Sequence, residues 1–526
     1  MKAFLMYRDR DFDLHTPLPW NEPDLVQDLE LETLLHAMAQ EDEFLYKVSR
    51  TALLAGCSEP DEVLYRQAVL QDCLDHPDVA RSLYQLAVDT IEAEHKNYWG
   101  LAHYPSGVLH HSVEVMTLLA TALKQLRAIA DAQASTFSSE GFRRFFTMLQ
   151  HELGDDYFET IQTHLNTLKF RHGVLISARL AEDNCGEDYV LCTPKAPPHS
   201  WLLRTFGKKP PSYSFTLAPR DENGARALSE LGDRGVNLVA NALAQSTEHI
   251  LSFLLMMRTE FAFYVSCLNL REQLAQKDEP VCFPRPSPAG ERTLTCRGLY
   301  DVCLTLHLPQ RAVGNDLNAD GKILFVITGA NQGGKSTFLR SVGLAQLMMA
   351  SGLFVPAESY AANLFRGLYT HYKREEDTSM NSGKLDEELA RMSAIVDHIQ
   401  PDALILFNES FAATNEREGS EISSQVTHAL LAHRIKVFSV SHLYEFARVL
   451  YEEHRPDATF LRAHRDEGGQ RTFRLEVAAP LATSHGADLY EKIFGATTPG
   501  DGIPQGPAGQ DAPPADPLPE EAIKGA

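Results

Sequence analysis

Ile323-Leu-Phe-Val-Ile327-Thr328-Gly329-Ala-Asn-Gln-Gly-Gly334-Lys335-Ser336-Thr337 reads as a buried strand, a glycine-rich turn and the start of a helix. The run from Ile323 to Ile327 is wholly apolar, as in a strand covered on both faces, and Phe338, Val342, Ala345 and Met349 then recur at helical spacing. Between them the order Gly, four residues, Gly-Lys-Ser is the phosphate-loop pattern, in the strand-to-helix context it requires. Glycines there let backbone N–H groups converge on phosphates, and the helix N-terminus adds partial positive charge. Lys335 is expected to reach the β- and γ-phosphates and the Ser336 hydroxyl to ligate Mg²⁺. Gly329, Ala330, Asn331, Gln332, Gly333, Gly334, Lys335, Ser336 and Thr337 are therefore the candidate nucleotide-binding residues, with ATP and Mg²⁺ as the expected cofactors.

Two more apolar runs end in polar pairs. Ala403-Leu-Ile-Leu-Phe-Asn408-Glu409 lies about seventy residues on, where phosphate-loop ATPases hold the Mg²⁺ shell and the attacking water. Glu409 is the candidate general base. Asn408 stands where an Asp is expected; a neutral amide can accept a hydrogen bond from a metal-bound water but brings no charge, so weaker Mg²⁺ affinity or slower turnover is anticipated. The third run, Val437-Phe-Ser-Val-Ser441-His442, would place His442 beside the phosphates at the sheet's carboxyl edge, able to sense or stabilise the γ-phosphate. Strands alternating with helices in this way predict an α/β domain with a parallel sheet over 291–496.

Upstream the pattern is helical. Apolar residues recur at helical spacing from Glu30 to Glu94, in an N-terminal helical segment 1–105. Between Gly107 and Gly141, and again from Val236 to Glu279, Pro and Gly are absent. The second stretch alone would make a rod of roughly 66 Å. Between these runs, Gly173-Val-Leu-Ile-Ser-Ala-Arg-Leu and Tyr189-Val-Leu-Cys look like short strands, so 106–290 reads as two long helices carrying a small β element near 173–215. Residues 497–526, rich in Pro, Gly, Ala and Asp, are expected to be disordered.

Composition limits the partners. The 526 residues carry a formal net charge of −23, so the molecule as a whole repels polyanions and any nucleic-acid contact must come from a local basic patch. Eight scattered cysteines without a Cys-x-x-Cys pair suit reduced thiols. The most apolar run, Ile250 to Met257, is far short of the roughly 20 residues of a membrane span, and charges among the first twelve residues would interrupt a secretory signal. A cytoplasmic protein without membrane association is expected.

Thr328 to Thr337, Gly352-Leu-Phe-Val-Pro-Ala357, Leu404 to Thr414, Ser441-His442 and the closing Phe473 to Gly495, with Ser484-His-Gly486, together resemble the ATPase domain of the DNA mismatch-repair MutS family in order and spacing. The resemblance implies an ABC-type ATPase that dimerises around two ATP molecules, with lever helices joining the nucleotide sites to a DNA-gripping clamp. By that analogy the β element near 173–215 is similar to the clamp, and Arg204, Lys208 and Lys209 are candidates for phosphate-backbone contacts. Ser382 and Gly383, in Asn381-Ser-Gly-Lys384, would cap the partner's γ-phosphate. The chain also departs from the family. No segment resembles the mismatch-reading domain or its aromatic wedge, Ser410-Phe-Ala-Ala-Thr414 replaces a Gly- and Arg-bearing loop, and the trans-acting signature lacks its Ser-Thr pair. A helix-turn-helix dimerisation tail beyond Gly495 is not found. The expected function is ATP-controlled binding to DNA, in mismatch repair or a related repair or recombination process, by a homodimer working with repair partner proteins. The alternative is a related ATPase acting on recombination junctions, RNA, a ribosome or a protein partner.

Overall fold

The computed structural model describes residues 1–97, 104–170, 173–183, 185–192, 213–374, 383–466 and 470–481. Arg204, Lys208, Lys209, Asn381, Ser382, Ser484-His-Gly486 and the tail 497–526 lie outside the described residues.

Eight helices come first: α1 Glu22–Asp28, α2 Leu31–Ala39, α3 Glu43–Leu54, α4 Pro60–Asp75, α5 Pro77–Asn97, α6 Pro105–Gln133, α7 Glu140–Glu152 and α8 Asp155–Leu168. A two-stranded antiparallel ribbon, β1 Ile176–Leu180 and β2 Gly186–Leu191, precedes α9, which runs unbroken from Glu222 to Ala275. The helix starts fourteen residues before the Gly-free run because Asp221 caps it, accepting from the Gly224 N–H at 2.9 Å, and because it runs through Gly232 and Gly235. Gly235 marks a close approach: a Cβ there would stand 2.4 Å from Ile176 Cδ1, so the missing side chain lets the ribbon lie against the helix. By length and composition α9 could cross a membrane, yet 72% of its most apolar window is buried within the protein.

The second half of the chain forms two sheets. A four-stranded sheet in the order β3-β7-β4-β5 joins Arg285–Ser287, Ser359–Asn363, Leu294–Leu299 and Asn315–Asn318; the sequence pattern had not separated it from the main sheet. The six-stranded sheet runs β12-β11-β6-β10-β9-β8. Its strands are β6 Leu324–Thr328, β8 Leu368–Tyr372, β9 Leu404–Asn408, β10 Lys436–Val440, β11 Ala458–Arg465 and β12 Arg471–Val477. All neighbours pair in parallel except β11 with β12. Helices α10 Val302–His307, α11 Lys335–Ala350, α12 Lys384–His398, α13 Glu416–Ala432 and α14 Tyr444–Glu452 complete this part. The apolar run that leads into the phosphate loop and the two that end in polar pairs become β6, β9 and β10, side by side, so their carboxyl ends open at one edge.

One hydrophobic core runs from the N-terminal helices through the base of α9 to a face of the large sheet. Polar side chains cross it at specific points. Glu260 on α9 is fully buried and accepts the Leu5 N–H at 2.7 Å and the Phe12 N–H at 3.2 Å, while Tyr264 donates to the Leu5 carbonyl at 2.6 Å. Arg66, also fully buried, donates to the Met6 carbonyl at 3.0 Å and to Ser351 at the C-terminal end of α11 at 3.2 Å. The first dozen residues thus stitch the long helix to the far end of the phosphate-loop helix. Arg340 on α11 adds a second tie, to the buried Asp301 at 2.5 Å and to Glu30.

Candidate nucleotide site

Buried β6 delivers the chain to the loop at Gly329, and the turn into α11 is made by Gly334 at φ +92°, a left-handed conformation that L side chains resist. The loop therefore presents the N-terminus of a sixteen-residue helix to the sheet edge. Lys335, the first residue of α11, is 4% exposed. Its Nζ donates to the Gly329 carbonyl at 3.0 Å and the Ala330 carbonyl at 2.9 Å, which folds the ammonium back over the loop. Burial lowers its pKa, and the charge of Glu409 pulls the other way.

β9 carries the facing pair. Ser336 Oγ donates to Asn408 Oδ1 at 2.9 Å, so the two residues assigned to Mg²⁺ from sequence are in contact. Two hard, neutral oxygens beside a phosphate loop fit Mg²⁺, which takes one or two protein oxygens and completes its shell with phosphate and water. No carboxylate occupies position 408, so the protein would supply little of the balancing charge.

Glu409 leaves β9 at φ +55°, its N–H bonded to the Val440 carbonyl at 2.9 Å. The same strand, β10, ends by donating the Ser441 N–H to the Ile327 carbonyl at 3.1 Å, which binds the edge of β10 to the entrance of the phosphate loop. His442 follows, and its Nε2 donates to Glu409 Oε1 at 2.7 Å. That hydrogen bond lowers the Glu409 pKa against the opposing effect of burial, with His442, Lys335 and Lys373 charges helping. The carboxylate stays ionised and directionally held. His442 thus meets Glu409 rather than standing alone at the edge. Gly383 is the N-cap of α12 and is exposed.

Several neighbours were not legible beforehand. Arg471 at the start of β12 donates to Gln332 Oε1 at 2.7 Å, which brings a further cation to the loop from a strand distant in sequence. Asn315 donates to the Phe473 carbonyl at 3.3 Å and accepts the Leu475 N–H at 2.7 Å, tying β5 to β12. Tyr300, Asn315, Gln332, Gly334, Thr337 and Phe473 help to line a cavity of about 360 Å³ beside the loop, with an apolar wall able to take a nucleoside. Of these, Gln332, Gly334 and Thr337 had a signal in the phosphate-loop motif and Phe473 as the first residue of the closing segment, whereas Tyr300 and Asn315 had none.

Residues 58–277 match the family model of the MutS2 N-terminal domain and residues 325–492 that of MutS domain V. This chain belongs to the MutS family. It is similar to MutS protein homolog 4 of Mus musculus, 26% identical over 241 residues, 45% of this chain and 24% of the relative. Endonuclease MutS2 of Lactobacillus acidophilus is 25% identical over 264 residues, 48% of this chain and 33% of the relative. DNA mismatch repair protein MutS of Thermus thermophilus is 28% identical over 179 residues, 34% and 22% respectively. The chain thus spans between about a fifth and a third of the length of these curated relatives. In this MutS-family chain the helices α4 to α9, ribbon included, fall within the MutS2 N-terminal match, a specific relation that the sequence motifs had not separated from the family at large.

Proposed function

We propose that this chain binds and hydrolyses ATP, as an ABC-type P-loop ATPase, and uses the cycle to control binding to DNA in mismatch repair or a related repair or recombination process. The observation that carries the reading is the meeting of Lys335, the Ser336–Asn408 pair and the Glu409–His442 pair at one sheet edge. Each has a part in phosphoryl transfer to water, where catalysis is mostly positioning and charge stabilisation. Lys335 and the α11 N-terminus hold the β- and γ-phosphates. Ser336 and Asn408 would hold Mg²⁺, which when bound neutralises charge on the phosphate oxygens. Glu409, kept ionised by His442, orients the attacking water and accepts its proton only as the bond to phosphorus forms; a carboxylate with a lowered pKa is a weak base but a firm acceptor. The family relation supports a homodimer around two ATP molecules, with α6 and α9 as levers and residues near 173–215 as the clamp. A cytoplasmic location is part of the same proposal.

The test is ATP turnover with and without duplex, mismatched, branched and single-stranded DNA. Lys335→Ala is expected to lose nucleotide binding and Glu409→Gln to bind ATP without turnover. Normal hydrolysis by either variant would overturn the assignment.

One observation favours a different target for the same engine. In the described part of the ribbon, Arg179 is the one basic residue, and it is paired with Glu187 at 2.7 Å and Asp188 at 2.9 Å, beside Glu182 and Asp183. Such a surface repels phosphate, and exposed Leu180 and Val190 suit a protein partner instead. Binding to a nucleic-acid probe that weakens as salt rises would reject this version; the absence of any salt-dependent binding, with ATP turnover intact, would support it over a junction or RNA target.

A further inference from the structure

Glu409 and Phe411 both sit in left-handed backbone, at φ +55° and +58°, on either side of Ser410. Non-glycine residues hold such conformations only where their surroundings over-determine them. The surroundings here are a buried frame outside the nucleotide site. His371 on β8 is fully buried, with Nδ1 2.7 Å from Ser410 Oγ and Nε2 3.0 Å from the Glu388 carbonyl on α12. A carbonyl can only accept, so Nε2 carries a proton. Burial pushes the imidazole down to about 4, with Arg391 acting in the same sense and Asp24 against it, so at neutral pH Nδ1 is a bare lone pair. The Ser410 hydroxyl therefore donates to Nδ1, with the His371 carbonyl 2.5 Å away as the second acceptor of a shared hydrogen. The Phe411 ring stacks on the imidazole at 5.2 Å between centroids and 25° between planes. Burial raises the pKa of the Glu388 carboxyl, and the Phe411 N–H is the largest influence opposing it.

We infer that His371 and Ser410 are positioning residues for Glu409, fixing the direction of its carboxylate through the strained loop, and that Glu388 ties this constraint to α12. This rests on the ATPase reading above. Neither residue touches nucleotide; both act through the backbone that carries the base. His442 holds the free end of the same side chain at Oε1, so the carboxylate is gripped from the site side and its backbone from the core side.

The experiment is steady-state ATP hydrolysis, with kcat and KM separated, together with equilibrium binding of a non-hydrolysable ATP analogue. The full chain is compared with Ser410→Ala, His371→Ala, His371→Asn and Glu409→Gln, each checked for folding by thermal melting. Ser410→Ala and His371→Ala are expected to lose kcat by about tenfold or more while KM and analogue affinity stay within about twofold. His371→Asn, whose amide oxygen can accept from Ser410, should recover part of the loss. Wild-type kcat in Ser410→Ala, when Glu409→Gln is inactive, would overturn the inference and leave the ATPase reading standing. Equal kcat losses in the Ala and Asn variants, with analogue affinity falling in step, would also overturn it, because that is the behaviour of a residue that only supports the fold. Should His371→Ala fail to fold, Ser410→Ala, which removes a single hydroxyl, decides alone. No turnover by the unaltered chain would remove the ATPase reading, and this inference with it.

Discussion

The two ends of α9 obey different rules. Near its C-terminal end, Phe261, Ala262, Phe263 and Tyr264 are all fully buried, so the helix is covered on every side and even its carboxylate, Glu260, is lodged among backbone N–H groups. Near its N-terminal end, Leu238 is 72% exposed, and a cleft of about 1020 Å³ opens between α6, α8, α9 and the ribbon, lined by Met116, Leu165, Leu191, Val239 and Leu243. The same secondary structure is a core element at one end and a lightly covered arm at the other. Its stability must therefore be graded along its length, lowest at the N-terminal end.

Removing the ring of Phe261 should have the largest effect, about 3–5 kcal/mol from lost burial and the cavity left behind, visible as a lower midpoint in urea. A loss below about 1 kcal/mol would break the picture of a close-packed base. Next comes the pH dependence of Glu260. Burial raises its carboxyl to about 7, against the Leu5 and Phe12 N–H groups, from an ordinary value of 4.5. The folded state then keeps a proton that the unfolded chain has released, so this group favours folding below about 4.5 and the advantage is lost as pH rises to about 7, by up to roughly 3 kcal/mol. His371, lowered to about 4, works in the opposite sense: its contribution is present above about 6.5 and is lost as pH falls towards 4. Comparing urea midpoints of the wild type and Glu260→Gln at pH 5 and pH 8 isolates the first effect; identical pH slopes in the two proteins would refute it.

Gly235→Val is the third test, since its side chain would strike Ile176. It should cost about 1–3 kcal/mol locally. Hydrogen exchange should accelerate in β1 and β2 while the base of α9 keeps its protection; loss of protection at the base would show the two ends to be one cooperative unit. Smallest of all, Leu238→Ala should shift stability by less than about 0.5 kcal/mol, and a larger loss would mean that the arm is covered in solution.

Much of the nucleotide site was legible because its chemistry is local. Gly334, Lys335 and Ser336 are consecutive, and the apolar runs ending in Asn408-Glu409 and Ser441-His442 read as strands whose polar ends would share an edge of a parallel sheet. The His371–Ser410 contact was not legible, since a histidine within Leu368-Tyr-Thr-His-Tyr372 gives no sign in sequence of which residue 39 positions on it will meet. Arg471 and Asn315 were hidden for the same reason. Gly232 and Gly235 misled in the other direction: glycine weakens a helix in isolation, yet packing against Ile176 rewards the missing side chain of Gly235.

By itself, then, the sequence determined the strand, loop and helix of the candidate phosphate site, the residues at its edge and the presence of long helices. These follow from periodicity and backbone preference within a few turns of chain. Only the tertiary structure decided which side chain holds Glu409, which strand brings Arg471 to the loop, and where α9 changes from core to arm. Hydrogen bonds and burial between distant segments depend on three-dimensional proximity, which short-range pattern does not encode.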